Sequence, residues 1–219
     1  MEEFLKSTAN IDFENSIIQE YVKEFRQLTS KTEMAVKVYL KIRDGYLYDP
    51  YHLDISPDAL VASKIVSKKR AWCVEKALLM VACSRALGIP SKLGFAIVTN
   101  HLGVDKLEKY LKRKEIVFHG YVSLFLERKW VNCTPAFDER VCRLSGVKAL
   151  EWDGKSDSMF QEFEGDKQFM EYKKYYGFYP DIPFKLMHSE MQSYYPHLFE
   201  NDWNEKSFSF QYEENCLAD

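Results

Sequence analysis

Two side chains of this sequence, Cys73 and His119, have the types and the order needed for cysteine-dependent acyl transfer. Cys73 directly precedes a long apolar run that ends at Gly88 and Pro90. This pattern predicts a thiol in the first turn of a buried helix, where free backbone N–H groups and the helix dipole favour the nucleophilic thiolate. His119 lies in a strand-like stretch downstream and is the candidate general base and acid. Cysteine hydrolases and acyltransferases use the same order, a cysteine on a helix followed by a histidine on a strand.

Each residue also fits a purely structural role. A free cysteine is often a small buried hydrophobe, as we expect for Cys83 further along the same predicted helix. The other histidines lie in predicted loops or near the termini without metal-ligand spacing: His52, His101, His188 and His197. The sequence contains no HExxH, P-loop or GxGxxG motif, so we expect neither a metal nor a cofactor.

Composition and charge are those of an ordinary globular protein. Hydrophobic residues make up 46% and charged residues 29% of the 219 positions, which argues against extended disorder. The length predicts one domain over residues 1–219, with a core of about residues 10–138 and an aromatic-rich C-terminal extension of about 139–219. The formal net charge of -3 provides no electrostatic basis for binding nucleic acid.

Cysteine usage and hydropathy favour the cytoplasm. The five cysteines form an odd set without a CxxC pair, which disfavours a disulfide framework and a zinc ribbon. The N-terminus is acidic and lacks the apolar segment of a signal peptide. The apolar run after Cys73 is shorter than the roughly 20 residues that cross a bilayer. We therefore expect a cytoplasmic protein that does not bind membranes.

Three helices are predicted before the cysteine. Asp12 is expected to cap a helix over residues 13–28. Ser30 has the capping-box spacing and should begin a second helix that stops near Gly45. The segment 56–58, Ser-Pro-Asp, is expected to begin a short third helix.

Helices and strands alternate after the cysteine. The predicted elements are the Cys73 helix to about Leu87, a strand over 92–99, a charged helix over 104–114, and strands over 116–126 and 129–134. A two-residue turn at Arg128 and Lys129 would pair Ser123 with Thr134 in the last two strands. Several helices beside a small antiparallel sheet predict an α+β domain.

The order of these motifs resembles the transglutaminase-like superfamily, and in particular a bacterial subgroup of it. The resemblance covers about residues 10–185. It is carried by Trp72-Cys73-Val74-Glu75-Lys76-Ala77, Gly88-Ile89-Pro90, His119-Gly120-Tyr121 and Trp130-Val131-Asn132-Cys133-Thr134-Pro135. It implies a papain-like fold, with a nucleophilic Cys73 at the head of a central helix and His119 on the adjoining sheet.

The residue that should orient the histidine departs from the superfamily pattern. The resemblance places an aspartate four residues after Trp130, where this chain has Thr134. The predicted register puts Asn132, Thr134 and Asp138 on the same face as His119. Asp138 would best stabilise an imidazolium, Asn132 would complete a papain-like Cys-His-Asn set, and Thr134 holds the aligned position.

The expected function is cysteine-dependent acyl transfer on an amide or peptide substrate. Attack by the thiolate would form an acyl-enzyme, which passes to water in a peptidase or amidase and to an amine in a transglutaminase-like enzyme. Two alternatives remain: a catalytically weak or inert papain-like domain that binds a peptide or protein, and an enzyme similar to the arylamine N-acetyltransferases. The aromatic residues beyond residue 156 either pack a C-terminal subdomain onto the core or line the cleft.

Overall fold

The structure is a computed structural model and describes residues 1–100, 105–159, 170–199 and 209–211. Its α-helices are α1 (Ser16–Tyr21), α2 (Lys31–Gly45), α3 (Ala62–Ile65), α4 (Cys73–Ala86), α5 (Asp105–Leu111), α6 (Glu139–Leu144) and α7 (Phe184–Tyr194). Short 3-10 helices cover Glu2–Leu5, Lys23–Gln27 and Pro196–Leu198. Its strands are β1 (Leu47–Tyr48), β2 (His52–Asp54), β3 (Arg70–Ala71), β4 (Ser91–Asn100), β5 (Glu115–Leu126), β6 (Lys129–Cys133), β7 (Met170–Tyr179) and β8 (Ser209–Gln211).

The central element is an antiparallel sheet with the strand order β6-β5-β4-β7. Helix α4 packs against β4 and β5, and helices α1, α2 and α3 pack around α4. Two small pairs lie outside this sheet, with β1 parallel to β3 and β2 antiparallel to β8. Helices packed on an antiparallel sheet confirm the predicted α+β fold class.

Helix α4 is buried along nearly its whole length, as its continuous apolar sequence predicts. Every residue from Cys73 to Arg85 is buried. The carboxylate of Glu75 accepts a hydrogen bond of 3.1 Å from the backbone N–H of Trp72, which satisfies a donor at the start of the helix. Gly88 follows the last turn with a φ of 69°, the left-handed conformation that glycine adopts without strain.

The helices upstream of α4 differ partly from the prediction. Ser30 caps α2 by accepting a hydrogen bond from Glu33 N–H, as expected. Asp12 does not begin a helix at residue 13, and its carboxylate instead accepts from the backbone N–H of Ser63 at the start of α3. Asn15 caps the shorter helix α1 instead. The segment 56–58 forms a turn rather than a helix.

The turn between β5 and β6 lies one residue earlier than predicted. Leu126 pairs with Lys129, so the turn residues are Glu127 and Arg128. Both have positive φ, 46° and 68°, as a type I′ hairpin requires. The predicted pairing of Ser123 with Thr134 is therefore wrong, since Ser123 pairs with Asn132. A shift of two residues along β6 preserves which side chains face the same side of the sheet.

Strand β7 was not predicted as a strand. It follows residues 160–169, which lie outside the described part of the chain, and pairs with β4 over its length. The aromatic C-terminal segment therefore contributes an edge strand to the central sheet. The helix predicted over 104–114 is found as α5, although its first residue also lies outside the described residues.

In the described part of the chain, no helix combines the length and the apolar character needed to cross a membrane.

Candidate active site

Cys73 is the first residue of α4 and is only 2% exposed. Burial raises the pKa of its thiol to about 11, although the backbone amides of Gly120, Val74 and Cys73 itself act in the opposite direction. The helix start therefore supplies the expected stabilisation of the thiolate. Desolvation outweighs it, because a charged sulfur loses its hydration in this environment. The thiol therefore requires a base to ionise, which is the role expected of His119.

Gly120 brings strand β5 against the start of α4. A Cβ at this position would lie 2.9 Å from the Cα of Val74 and 3.1 Å from the carbonyl oxygen of Cys73. Both are backbone atoms, which cannot move aside without shifting the helix. A glycine is needed here because the two backbones approach so closely. His119 precedes Gly120, so this contact brings the backbone of the histidine close to the first turn of α4.

A β-bulge sets the direction of His119. Ala96 pairs with His119 and Val98 with Ile116, so one residue of β4 opposes two residues of β5. The second of these two, Phe118, has a φ of 62°. Positive φ is a strained conformation for a bulky residue, and it occurs often at functional sites. The bulge turns His119 relative to the regular alternation of the strand.

The imidazole of His119 is enclosed by aromatic rings. It is 1% exposed, stacks on Phe137 with ring centroids 6.3 Å apart and meets the Tyr172 ring edge-on at 5.8 Å. Burial lowers the pKa of His119 to about 3, so the ring is neutral at physiological pH. Among the described residues, its buried Nε2 has no hydrogen-bond partner.

Thr134 lies directly after β6, and within the described residues its contact with the histidine runs through a tyrosine. Its hydroxyl is 3.1 Å from the hydroxyl of Tyr172, the residue whose ring meets His119 edge-on. The backbone of Thr134 pairs with Ser158, and its carbonyl oxygen accepts from Tyr39. Thr134 therefore supports a wall of the site.

Asn132 pairs with Ser123. This register keeps Asn132 on the same face of the sheet as His119, as predicted. Its backbone N–H and its side-chain NH₂ both donate to the carboxylate of Asp157, at 2.9 Å and 2.8 Å. The side chain is thus directed to the segment after Trp152, and the described residues give it no hydrogen bond to His119.

Asp138 is the N-cap of α6. One carboxylate oxygen accepts a hydrogen bond of 3.0 Å from Val141 N–H, and the other accepts one of 2.6 Å from Tyr48 N–H. The carboxylate also favours the charged form of the buried Lys76, whose pKa burial lowers to about 8. These interactions account for both oxygens of Asp138.

Two tyrosines adjoin the thiol: Tyr48, which sequence reasoning missed, and Tyr172, one of the C-terminal aromatic residues for which the sequence left open a place along the cleft. Tyr48 packs edge-on against Phe137 with ring centroids 4.7 Å apart. Burial raises the pKa of both Tyr48 and Tyr172, and a Cys73 thiolate would raise it further. Aromatic rings therefore form the walls around Cys73 and His119. No local pattern distinguishes Tyr48 from an ordinary core residue.

The resting chemistry of the pair is that of two neutral groups. The described residues contain no hydrogen bond between Cys73 and His119, whose backbones are joined through the Gly120 contact. A neutral imidazole beside a neutral thiol acts as a base during attack on the substrate, so no ion pair is needed beforehand. No group of three or more potential metal-ligating side chains occurs among the described residues.

Comparison with known proteins gives the family. The family model of the Transglutaminase-like superfamily matches residues 19–135. The crystal structure of a protein described provisionally as a cysteine protease, from Cytophaga hutchinsonii, is similar with a TM-score of 0.47 and 14% sequence identity. The alignment covers 80% of this chain and 53% of that one, so the chain spans about half of the length of this neighbour. No curated protein matches the chain significantly.

The segment matched by the family model contains both Cys73 and His119, at the junction of α4 and β5. It spans more than half of the chain. The protein therefore belongs to the transglutaminase-like superfamily, which connects it in general terms with papain-like, cysteine-dependent chemistry.

Proposed function

We propose that the protein catalyses acyl transfer from an amide or peptide substrate, with Cys73 as the nucleophile and His119 as general base and acid. The observation that carries this proposal is the Nε2 atom of His119, which is buried and has no hydrogen-bond partner among the described residues, on the residue next to the Gly120 that contacts the start of α4. A buried polar atom without a partner costs roughly 1–3 kcal/mol. A protein can retain an atom at this cost where the atom accepts a proton during the reaction.

The reaction proceeds in two balanced steps. The Cys73 sulfur attacks the carbonyl carbon while His119 accepts the thiol proton, and the backbone N–H of Cys73 donates to the developing oxyanion. The bond to the leaving amine then breaks as His119 returns the proton to it, which leaves a thioester on Cys73. Water or a second amine attacks the thioester with His119 again as base, and the thiol is regenerated.

The orientation of His119 in this mechanism comes from aromatic packing. Phe137 and Tyr172 hold two sides of the ring, and Tyr172 is itself tied to Thr134. The carboxylate of Asp138 is occupied by the start of α6 and by Tyr48. The imidazolium formed during the reaction thus has no carboxylate partner among the described residues. We therefore propose slow turnover compared with enzymes that have a complete triad.

The lack of a carboxylate partner for His119 among the described residues also supports a second candidate function. A papain-like domain that has lost the carboxylate partner of its histidine can bind a peptide or protein without turnover. The low exposure of Cys73, 2%, also agrees with a binding role. This candidate predicts that Cys73 forms no acyl adduct.

Incubation with a peptide library, with and without a primary amine as acceptor, tests the proposal. Mass spectrometry would follow hydrolysis, amine incorporation and a thioester on Cys73. We expect product in the wild type and none in Cys73→Ala. Cys83→Ala serves as the matched control, because Cys83 lies buried in the same helix. The absence of both product and Cys73 adduct would favour the binding function.

A further inference from the structure

The hydroxyl of Tyr195 binds the backbone of β5 shortly before His119. It accepts a hydrogen bond of 2.8 Å from the backbone N–H of Val117 and donates one of 2.7 Å to the carbonyl oxygen of Glu115. Tyr195 directly follows the last residue of α7 and is 1% exposed. Burial raises the pKa of its hydroxyl, so the group stays protonated and can donate. One side chain therefore holds two backbone groups of the strand.

The hydroxyl acts where the sheet pairing of β5 is incomplete. Among the described residues, β6 pairs with β5 only over residues 122–126. On the side of β4, the register shifts between Ala96 and Val98, which leaves Val117 without a directly opposite residue. Buried backbone N–H and C=O groups need hydrogen-bond partners. Tyr195 supplies them to this part of the strand.

The segment bound by Tyr195 leads into the strained residue of the bulge. Phe118 has a φ of 62° and directly precedes His119. A bulky residue keeps a positive φ only where its surroundings hold it there. The buried Phe118 ring packs on Phe95 and Tyr176, with ring centroids 4.8 Å and 4.9 Å apart. These rings hold the side chain, and the Tyr195 hydroxyl holds the backbone before it.

Tyr195 also lies close to the proposed nucleophile. Tyr195, Val117 and Cys73 line the same cavity beside the start of α4. Helix α7 lies beyond residues 19–135, the segment that the family model matches. The two hydrogen bonds therefore join a helix outside the matched segment to the strand that carries His119.

We propose that Tyr195 is a positioning residue for His119. Its hydrogen bonds hold the backbone before Phe118 in the bulged conformation, and this conformation directs the imidazole of the next residue. The inference rests on the proposed function, in which the imidazole accepts the thiol proton of Cys73. A misdirected ring slows this step, because a misplacement of about 1 Å can cost about 10²-fold in rate.

Tyr195→Phe removes the hydroxyl and keeps the ring. Stopped-flow measurement of Cys73 acylation over a range of 4-nitrophenyl acetate concentrations separates the maximal rate from the half-saturating concentration. We expect the maximal rate to fall by at least about tenfold and the half-saturating concentration to change by less than about twofold. This split indicates that proton transfer is impaired while ester binding is kept.

The ring of His119 provides a second readout. NMR of protein with isotopically labelled histidine reports the ring nitrogens, and the His119 signals are assigned by their loss in His119→Gln. We expect these signals to shift or broaden in Tyr195→Phe, because the ring takes a different or less defined direction. A hydroxyl that only stabilises the fold would leave the ring signals of the folded variant unchanged.

Tyr46→Phe is the matched control. Tyr46 is 3% exposed, and its hydroxyl donates to the carbonyl oxygen of Val66 at 3.4 Å, between the segments that follow α2 and α3. The variant also loses a hydrogen bond from a buried tyrosine to the backbone. We expect it to keep the acylation rate and the His119 signals of the wild type. Circular dichroism checks that both variants are folded.

A folded Tyr195→Phe protein with the wild-type rate and the wild-type His119 signals would overturn the inference. If Tyr195→Phe does not fold, Tyr195→Gln takes its place, since its amide both donates and accepts but is shorter than the phenol. An unchanged rate and unchanged ring signals in that variant would equally overturn it. If wild-type Cys73 forms no acyl adduct, the proposed function fails, and the ring signals alone decide the role of Tyr195.

Discussion

Gly120 and Val74 are in contact through their backbones, so closely that a Cβ on Gly120 would lie 2.9 Å from the Cα of Val74. This approach joins β5 to the first turn of α4. It also limits the distance between the backbones that carry the two groups proposed to react, because His119 and Cys73 are the neighbours of these residues in the chain. The geometry of the site therefore depends on the absence of one side chain.

Replacing Gly120 with alanine should separate the strand from the helix. The methyl group would meet backbone atoms of Val74 and Cys73, and overpacking of this kind costs about 1–3 kcal/mol. We expect Gly120→Ala to lower the free energy of unfolding by that amount in urea denaturation. We also expect it to reduce acylation of Cys73 by more than tenfold.

Gly45→Ala is the matched control for this substitution. Gly45 is the last residue of α2, and a Cβ there has no neighbour within 4 Å. Its free energy of unfolding should stay within about 1 kcal/mol of the wild type. Equal behaviour of the two variants would mean that the Gly120 contact is not close in solution.

Stability at acid pH should depend on His119. Burial lowers the pKa of its folded form to about 3, whereas an unfolded histidine has a pKa of about 6.5. Between these values the unfolded chain binds a proton that the folded chain does not, so this group makes stability fall as pH falls from about 6.5 to 3. The slope from this one group is at most about 1.4 kcal/mol per pH unit.

The measurement is the free energy of unfolding against pH for the wild type and His119→Gln. The neutral glutamine cannot be protonated, so its curve should be flatter between pH 6.5 and 4 while other acid-sensitive groups act equally in both proteins. Parallel curves would show that the imidazole is hydrated enough to ionise in the folded state.

Asp138 should contribute to stability far more than to chemistry. Asp138→Ala removes the cap of α6 and the acceptor for Tyr48 N–H, and we expect a loss of about 1–3 kcal/mol of unfolding free energy. Asp138→Ser keeps a capping hydroxyl and should recover part of this loss. The acylation rate of the folded variants should fall by less than tenfold. A fall approaching the ~10⁴-fold effect of losing a triad aspartate would assign Asp138 as the orienting residue.

Tyr172 and Thr134 should act together on His119. Their hydroxyls are 3.1 Å apart, and Tyr172 contacts the imidazole edge-on. We expect Tyr172→Phe and Thr134→Val each to slow acylation severalfold, and the double variant to be no slower than the worse single one. If the double variant instead loses as much activation free energy as the two single variants together, Thr134 does not act through Tyr172.

Helix α4 and strands β4 and β5 followed from the sequence because their apolar residues form long, clearly bounded runs. The apolar run after Cys73 predicted α4, and the flanking strands β4 and β5 were found within one or two residues. Strand β7 escaped prediction because two adjacent lysines, Lys173 and Lys174, and exposed aromatics interrupt the alternation of a half-buried strand. The β5–β6 turn was misplaced because Glu127 and Arg128 adopt positive φ without glycine or asparagine.

The sequence could mark the candidate pair, and of its surroundings it offered only the alternative that C-terminal aromatic residues line the cleft. Cys73 and His119 are marked by residue type and by their places in a helix and a strand. The rings around them come from distant segments: Tyr48 before α3, Phe137 after β6 and Tyr172 on β7. Burial raises the pKa of the Cys73 thiol, against the effect of the helix start. No local pattern carries that information. The charge of Asp138 favours a role beside an imidazolium, whereas its position before α6 makes it a helix cap.

The rate of Cys73 acylation by 4-nitrophenyl acetate at pH 7, in the wild type and in His119→Gln, tests the proposed pair most directly. Stopped-flow absorbance would give the rate, mass spectrometry would confirm the thioester on Cys73, and circular dichroism would confirm that both proteins are folded. General-base assistance contributes about 10²–10⁴-fold, so we expect His119→Gln to be at least about 100-fold slower. Equal rates in the two folded proteins would contradict the assignment of His119 as the base for Cys73.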